Sequence, residues 1–185
     1  MSSINQKILL FAQWSDVIIG VLTLLYVLIY YKEIYVAIIK QEKTNSPVGS
    51  VSLTLLITAI SFPVFSMFTD AVFTYSGKST DSYYLHYLVS SVIGVIYCSL
   101  ITALHWMLKQ KAGFLAKVCF MMGGITVLLQ AIRYLDSQYL ETEYITYLYQ
   151  YGVVSSNAMI TITSAFVIFY SVIIKWRLIG SKVSC

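Results

Sequence analysis

The chain has 185 residues, 58% of them apolar and 11% charged, with a formal net charge of +4 and a mean hydropathy of +0.77. Soluble domains run at roughly 45–50% apolar and about 25% charged residues, so water alone does not keep this chain folded. Once five membrane spans of about 20 residues each are set aside, only short connections remain, which excludes a separate soluble catalytic or binding domain.

Residues 1–7 carry one basic side chain, Lys7. The apolar run that follows is interrupted by Gln13 and Asp16 with no small-residue cleavage pattern, so no cleavable signal peptide is expected. Five apolar segments are predicted at about 14–36, 51–74, 83–108, 114–135 and 152–174, each able to cross a hydrocarbon layer about 30 Å thick. The expected fold is all-α: a single integral membrane domain over 1–185, a polytopic transmembrane helical bundle in contact with membrane lipid.

In the first span Lys32 and Glu33 lie near the end and an apolar tail, 34–39, continues beyond them. Either the span slides by several residues or the tail lies in the interface. The second span holds Thr54, Thr58 and Ser61, and Pro63 inside it predicts a kink because proline removes one helical donor. The third reads Ser90, Gly94, Cys98 and Thr102, one residue in every four, followed by His105. The fourth reads Gly123, Thr126, Gln130 and Arg133. Between the fourth and fifth, over about 137–151, Tyr139, Tyr144, Tyr147 and Tyr151 recur with Leu140 and Leu148 and predict a short amphipathic helix on the outer surface. The fifth span carries Asn157, Thr161, Ser164 and Ser171.

Basic residues resist translocation and collect on the cytoplasmic side. Lys32, Lys40 and Lys43 follow the first span, Lys109, Lys111 and Lys117 the third, and Lys175, Arg177 and Lys182 end the fifth, so one side holds nine of the twelve basic residues. Asp16, Asp70, Asp81, Asp136, Glu141 and Glu143 fall on the other side with Lys7, Lys78 and Arg133. The expected orientation is N-terminus outside and C-terminus in the cytoplasm. Trp106, Trp176, Tyr30 and Tyr31 would mark the inner headgroup level, and Trp14, Tyr75, Tyr83, Tyr84 and Tyr87 the outer one.

In lipid, helices associate through small residues and interhelical hydrogen bonds, so polar positions at helical spacing mark the faces that touch. The seam formed by Ser90, Gly94, Cys98, Thr102, Asn157, Thr161 and Ser164 reads in two ways: as plain helix packing, or as the lining of a hydrated cavity along the bundle axis. Arg133, Gln130 and Asn157 favour the second, because a guanidinium or amide is costlier in hydrocarbon than a hydroxyl that bonds back to its own helix. Asp70 and Arg133 fall at similar depth near the outer surface and are candidates for an ion pair, bridged by Gln130 or joined by Asp16. The alternative is that each reaches the headgroups separately.

Groups for catalysis or metal binding are not evident. His86 and His105 stand 19 residues apart on one span, near opposite membrane faces. Cys98, Cys119 and Cys185 show no metal spacing. Gly77-Lys78-Ser79-Thr80 lacks the earlier glycine of a phosphate loop, Val72 standing in its place. No cofactor, no metal and no direct nucleic-acid partner is expected. The layout resembles the small polytopic subunits of bacterial immunity and phage-defence systems, a likeness that assigns no individual residue a role.

The resulting expectation is a non-enzymatic, homo-oligomeric membrane scaffold or sensor subunit. Its basic cytoplasmic face of Lys40, Lys43, Lys109, Lys111, Lys117, Lys175, Arg177 and Lys182 would dock a cytoplasmic protein or anionic lipid. The alternatives are an ion or small-solute channel lined by the polar seams, and a membrane enzyme or haem protein using His86 or His105. Minimal loops, the absence of glycosylation sequons and the lack of a signal peptide point to a bacterial inner membrane.

Overall fold

The computed structural model describes residues 3–39, 48–76, 80–139 and 142–183, with side chains for all of these except 3–13, 39, 73, 76, 80–82, 143 and 178–183. They form five helices: α1 (Ser3–Ile34), extended by a π-helical turn over Tyr35–Ile39, α2 (Val48–Ser76), α3 (Thr80–Met107), α4 (Phe114–Tyr139) and α5 (Glu143–Val183). No strand occurs among the described residues. Each helix contains a stretch long and apolar enough to cross a membrane: Trp14–Ile38, Val48–Val72, Tyr83–Met107, Phe114–Tyr139 and Tyr144–Arg177. Large apolar side chains such as Leu24, Leu28, Leu128, Ile162 and Phe166 stand exposed around the bundle. A hydrocarbon solvent tolerates such a surface and water does not.

Each helix packs on its neighbours in the chain, and α1 also packs on α5, so the five close into a ring; α2 reaches across it to α4. The ends of the ring differ in chemistry. One, the lysine end, gathers the end of α1, the α3–α4 connection and the end of α5. The opposite end carries the α2–α3 and α4–α5 connections.

Helix α2 divides the interior. Between 48 and 58 only Leu56 is exposed and every other residue is buried, whereas from 59 to 75 no described residue is buried. Gly49, Ser50, Ser52, Thr54 and Thr58 are small enough to let neighbouring helices approach closely. Their hydroxyls are satisfied locally: Ser52 donates to the Val48 carbonyl at 2.7 Å, Thr54 to Ser50 at 2.8 Å and Thr58 to Thr54 at 2.8 Å. Beyond Thr58 only partly buried side chains such as Phe62 and Phe65 face inward while Met67 and Phe68 stand exposed, and Pro63 sits at the start of this looser half without ending the helix.

The lysine end is sealed. The His105 Nδ1–H donates to the Ile101 carbonyl at 2.7 Å, and its Nε2 is hydrogen-bonded to the Ser50 hydroxyl at 2.9 Å. The Gly113 amide donates to the same Ser50 oxygen at 2.8 Å, and the Gln110 amide donates to the Ala37 carbonyl at 2.9 Å. The α3–α4 connection is thereby tied to the start of α2 and the π-turn of α1.

Two boundaries differ from expectation. The first span does not end at 36: its apolar stretch extends to Ile38 and the helix runs on to Ile39, bent at Tyr30 (φ −114°, ψ 16°) and widened into a π-helical turn at Tyr35–Ile39. The segment expected as a separate amphipathic helix over 137–151 is divided between the last turn of α4 and the first turns of α5. Asp136 makes the turn, accepting from the Thr142 amide at 3.2 Å and the Thr142 hydroxyl at 2.6 Å, after which α5 runs unbroken to Val183. Tyr144, Tyr147, Leu148 and Tyr151 form an exposed stripe on those first turns, and Gly152, which could have ended a helix, packs closely on Leu129 of α4. At 1.5 Å per residue the 41 residues of α5 span about 60 Å, twice the hydrocarbon thickness.

Candidate functional site

A cavity of about 260 Å³ opens inside the ring, in the half away from the lysine end, and all five helices line it. Helix α1 contributes Asp16, and α2 contributes Ser61, Phe62, Phe65, Ser66, Thr69 and Asp70. Ser90, Ile93, Gly94 and Tyr97 come from α3, Gly123 and Thr126 from α4, and Val153, Asn157 and Ile160 from α5. Two glycines bring α3 and α4 together behind it. A Cβ on Gly94 would stand 2.5 Å from Val127 Cγ2, and one on Gly123 would stand 2.9 Å from Cys98 Sγ and 3.1 Å from the Tyr97 ring. Below the cavity the Thr58 hydroxyl meets the Tyr97 hydroxyl at 3.0 Å, closing it toward the lysine end.

Unbonded hydroxyls are concentrated at the lining. Away from the cavity several intramembrane hydroxyls bond back to their own helix, as in Thr161 to Asn157 at 2.9 Å, Ser164 to Ile160 at 2.7 Å and Ser171 to Val167 at 2.7 Å, although the buried Ser91 hydroxyl does not. Around it only Thr126 does so, to Met122 at 3.0 Å. Among the described residues the Ser61, Ser66, Thr69 and Ser90 hydroxyls, the Asn157 amide and the carboxylates of Asp16 and Asp70 find no protein partner. Ser90 is only 3% exposed. An unmet buried polar group costs about 1–3 kcal/mol, a cost that here falls on Ser90 alone; Ser66 and Asp70 are exposed and Asp16, Ser61, Thr69 and Asn157 half-buried, so the lining is a polar surface that water or a ligand can reach rather than a closed packing seam.

The polar positions of the sequence therefore fall into three places. Asp16, Asp70, Ser90, Gly94 and Asn157 converge on the cavity. Thr161 and Ser164 are buried in α5 and bonded within it. Cys98 and Thr102 turn to a shallow groove on the far side of the α3–α4 contact, where the Cys98 thiol lies 3.7 Å from the Phe120 carbonyl and the exposed Thr102 donates to Cys98 at 3.0 Å. Pro63 lies on the α2 segment between Phe62 and Phe65 of the lining.

The expected pairing of Asp70 with Arg133 is not what the structure contains. Arg133 forms its ion pair with Asp136, three residues on along the same helix, and also lies 5.8 Å from the Tyr87 ring. The local pair needs no approach between helices, whereas α2 has already loosened from the bundle where Asp70 stands, exposed at the cavity mouth. Gln130 does not bridge the two: it is 1% exposed, and its side-chain carbonyl oxygen has no partner among the described residues. The i, i+3 spacing of Arg133 and Asp136 was the available signal. Ser66 and Thr69 were also missed, although they lie four and one residues before Asp70 on one helical face.

Of the basic residues, Lys109, Lys111, Lys117 and Arg177 are exposed at the lysine end. Lys175 is not free: it donates to Glu33 at 2.9 Å and to the Ile29 carbonyl at 2.6 Å. Lys40 and Lys43 lie outside the described residues, as does the side chain of Lys182. Among the described residues no group of three or more His, Cys, Asp or Glu stands close enough to hold a metal ion. Compared with protein families, with curated proteins and with solved structures, the chain matches none, and its reading rests on the geometry of the cavity.

Proposed function

We propose that this chain is a non-enzymatic membrane sensor subunit that receives a small positively charged solute in the cavity, from the side of the membrane opposite the lysine end. The observation that carries the proposal is the cavity wall: two carboxylates, an amide and several hydroxyls, none engaged by the protein, with the nearby guanidinium of Arg133 already taken by Asp136. Unpaired carboxylates within a span are costly and are characteristic of ion and substrate sites. Among the described residues no hydroxyl of the wall is hydrogen-bonded to either carboxylate, which favours binding over chemistry.

In this reading the lysine end faces the cytoplasm, with the N-terminus outside, as the charge bias favours. Lys109, Lys111, Lys117 and Arg177, exposed and without ion-pair partners among the described residues, then present the signal to a cytoplasmic protein or anionic lipid in a homo-oligomer of a bacterial inner membrane, with a defence system as one setting. A through-channel has less support, because the buried first half of α2 fills the axis below the cavity.

The test is cation binding by the purified protein in detergent or nanodiscs, read as a rise in melting temperature with tetramethylammonium or sodium. Saturable stabilisation that is lost in Asp16→Asn and Asp70→Asn, with both variants still monodisperse, supports the proposal. Absence of binding by every cation tried removes it. Steady cation conductance in planar bilayers would replace the sensor reading with the channel one. Pulldowns with Lys109, Lys111 and Lys117 neutralised test the docking face separately, and unchanged partner recovery would count against it.

A further inference from the structure

We infer that the occupant of the cavity is a small amphipathic ammonium ion, an amine carrying an apolar chain or ring, rather than a bare inorganic cation. The inference rests on the cation-receiving reading above and adds the substrate class. Size comes first. A space of about 260 Å³ equals roughly nine waters at ~30 Å³ each and lies just below the roughly 300–1,000 Å³ of pockets for drug-sized ligands. A desolvated metal ion would leave most of it empty.

The wall is divided in kind. Phe62, Phe65, Tyr97 and Ile160 give it an apolar floor, with the Phe62 and Tyr97 rings tilted by 50° at a centroid distance of 6.5 Å. Asp16 and Asp70 supply negative charge with no cation of the protein to balance it, and the buried Ser90 hydroxyl and Asn157 amide stand unbonded between these regions. An ammonium group satisfies the carboxylates and the free acceptors together, since it brings up to three donors and one positive charge. The aromatic floor takes the apolar remainder and attracts the cation through the ring faces. Ser66 and Asp70 line the cavity and are at the same time exposed on the surface of α2, so it opens beside that helix, where an amine partitioned into the bilayer interface is already concentrated.

The experiment is a binding series on the intact protein in nanodiscs: methylammonium, butylammonium, phenethylammonium, tetramethylammonium and sodium, with phenethyl alcohol as the neutral counterpart. Affinity is expected to rise about fourfold for each methylene added until the cavity is full, phenethyl alcohol is expected not to compete, and Phe65→Ala is expected to flatten the series. If Phe65→Ala does not fold, the series on the unmodified protein decides alone. Equal affinity across the amines, or binding of sodium that no amine displaces, overturns the amphipathic occupant and leaves the cation-receiving reading standing. Competition by phenethyl alcohol as strong as by the amine overturns the role of charge, and binding of none of these cations overturns both.

Discussion

The Lys175 ammonium on α5 donates to the main-chain carbonyl of Ile29 on α1 at 2.6 Å, one residue before α1 bends at Tyr30. In a regular helix the Glu33 amide serves that carbonyl, and the turn between them contains the non-helical Tyr30. Lys175 is a further donor to it, holds the Glu33 carboxylate at 2.9 Å and lies 4.4 Å from the centroid of the Tyr30 ring, while the Tyr30 hydroxyl donates to the Ser171 carbonyl at 2.5 Å. Replacing Lys175 by Ala is predicted to destabilise the protein in detergent by about 1–2 kcal/mol, because a charged donor is withdrawn from a bent turn. Glu33→Gln keeps the carbonyl contact and removes only a partly exposed ion pair, so its cost is expected to stay under about 1 kcal/mol. Melting curves giving the two variants equal losses would show that the carbonyl contact contributes nothing.

At the opposite end, a double-mutant cycle separates two accounts of Arg133. Its ion pair with Asp136, which also anchors the Thr142 amide and hydroxyl, predicts a coupling energy of about 1 kcal/mol or more between Arg133→Ala and Asp136→Ala. The same cycle between Arg133→Ala and Asp70→Ala is expected to be additive within about 0.5 kcal/mol. Coupling in the second cycle as large as in the first would restore the Asp70–Arg133 pair.

The contact of α3 with α4 gives a prediction in which two glycines behave differently. A methyl at Gly94 would lie 2.5 Å from Val127 Cγ2, whereas one at Gly124 meets nothing within 4 Å. Gly94→Ala is therefore expected to lose about 1–3 kcal/mol by overpacking against a stiff β-branched side chain, and Val127→Ala is expected to recover most of that loss. Gly124→Ala is expected to be neutral or stabilising by up to about 1 kcal/mol, since alanine favours the helix. Similar melting temperatures for Gly94→Ala and Gly124→Ala would mean that the helices are not in close contact at Gly94.

The five spans were legible because the cost of burying charge in hydrocarbon is written directly into composition: every boundary region carries charged residues and every interior is apolar. The position of α5 was harder, since the stretch 144–151 is amphipathic by pattern and only its continuity with Gly152, packed on Leu129, shows that no break intervenes. Convergence of Ser90, Gly94 and Asn157 could be expected from their helical spacing. Whether such a seam packs or hollows out depends on the widths of Phe62 and Phe65 against neighbours that no single helix reveals. The Lys175–Ile29 contact was not legible at all, because main-chain carbonyls carry no sequence signature and the lysine counted simply as one more cytoplasmic charge.

The α3–α4 connection holds the last test. Lys109 has φ of 52°, the one positive value among the described non-glycine residues, and the hydrogen bonds around it explain why. Its amide donates to the Trp106 carbonyl at 3.1 Å and the next amide, of Gln110, donates to the His105 carbonyl at 2.9 Å, the paired bonds that close a helix when the residue after its end turns left-handed. That conformation costs an L-residue about 1–2 kcal/mol, and glycine adopts it freely while losing some of the benefit through its looser unfolded chain. Lys109→Gly is therefore predicted to be more stable than Lys109→Ala by about 1 kcal/mol. Both remove the same charge, so comparing the two isolates the backbone from the electrostatics of the lysine end. The same pair serves the docking question: if the exposed ammonium of Lys109 contributes to partner recovery, both variants lose it equally although their melting temperatures differ. A Lys109→Ala protein that melts at or above the temperature of Lys109→Gly would show that the turn is not closed in this way.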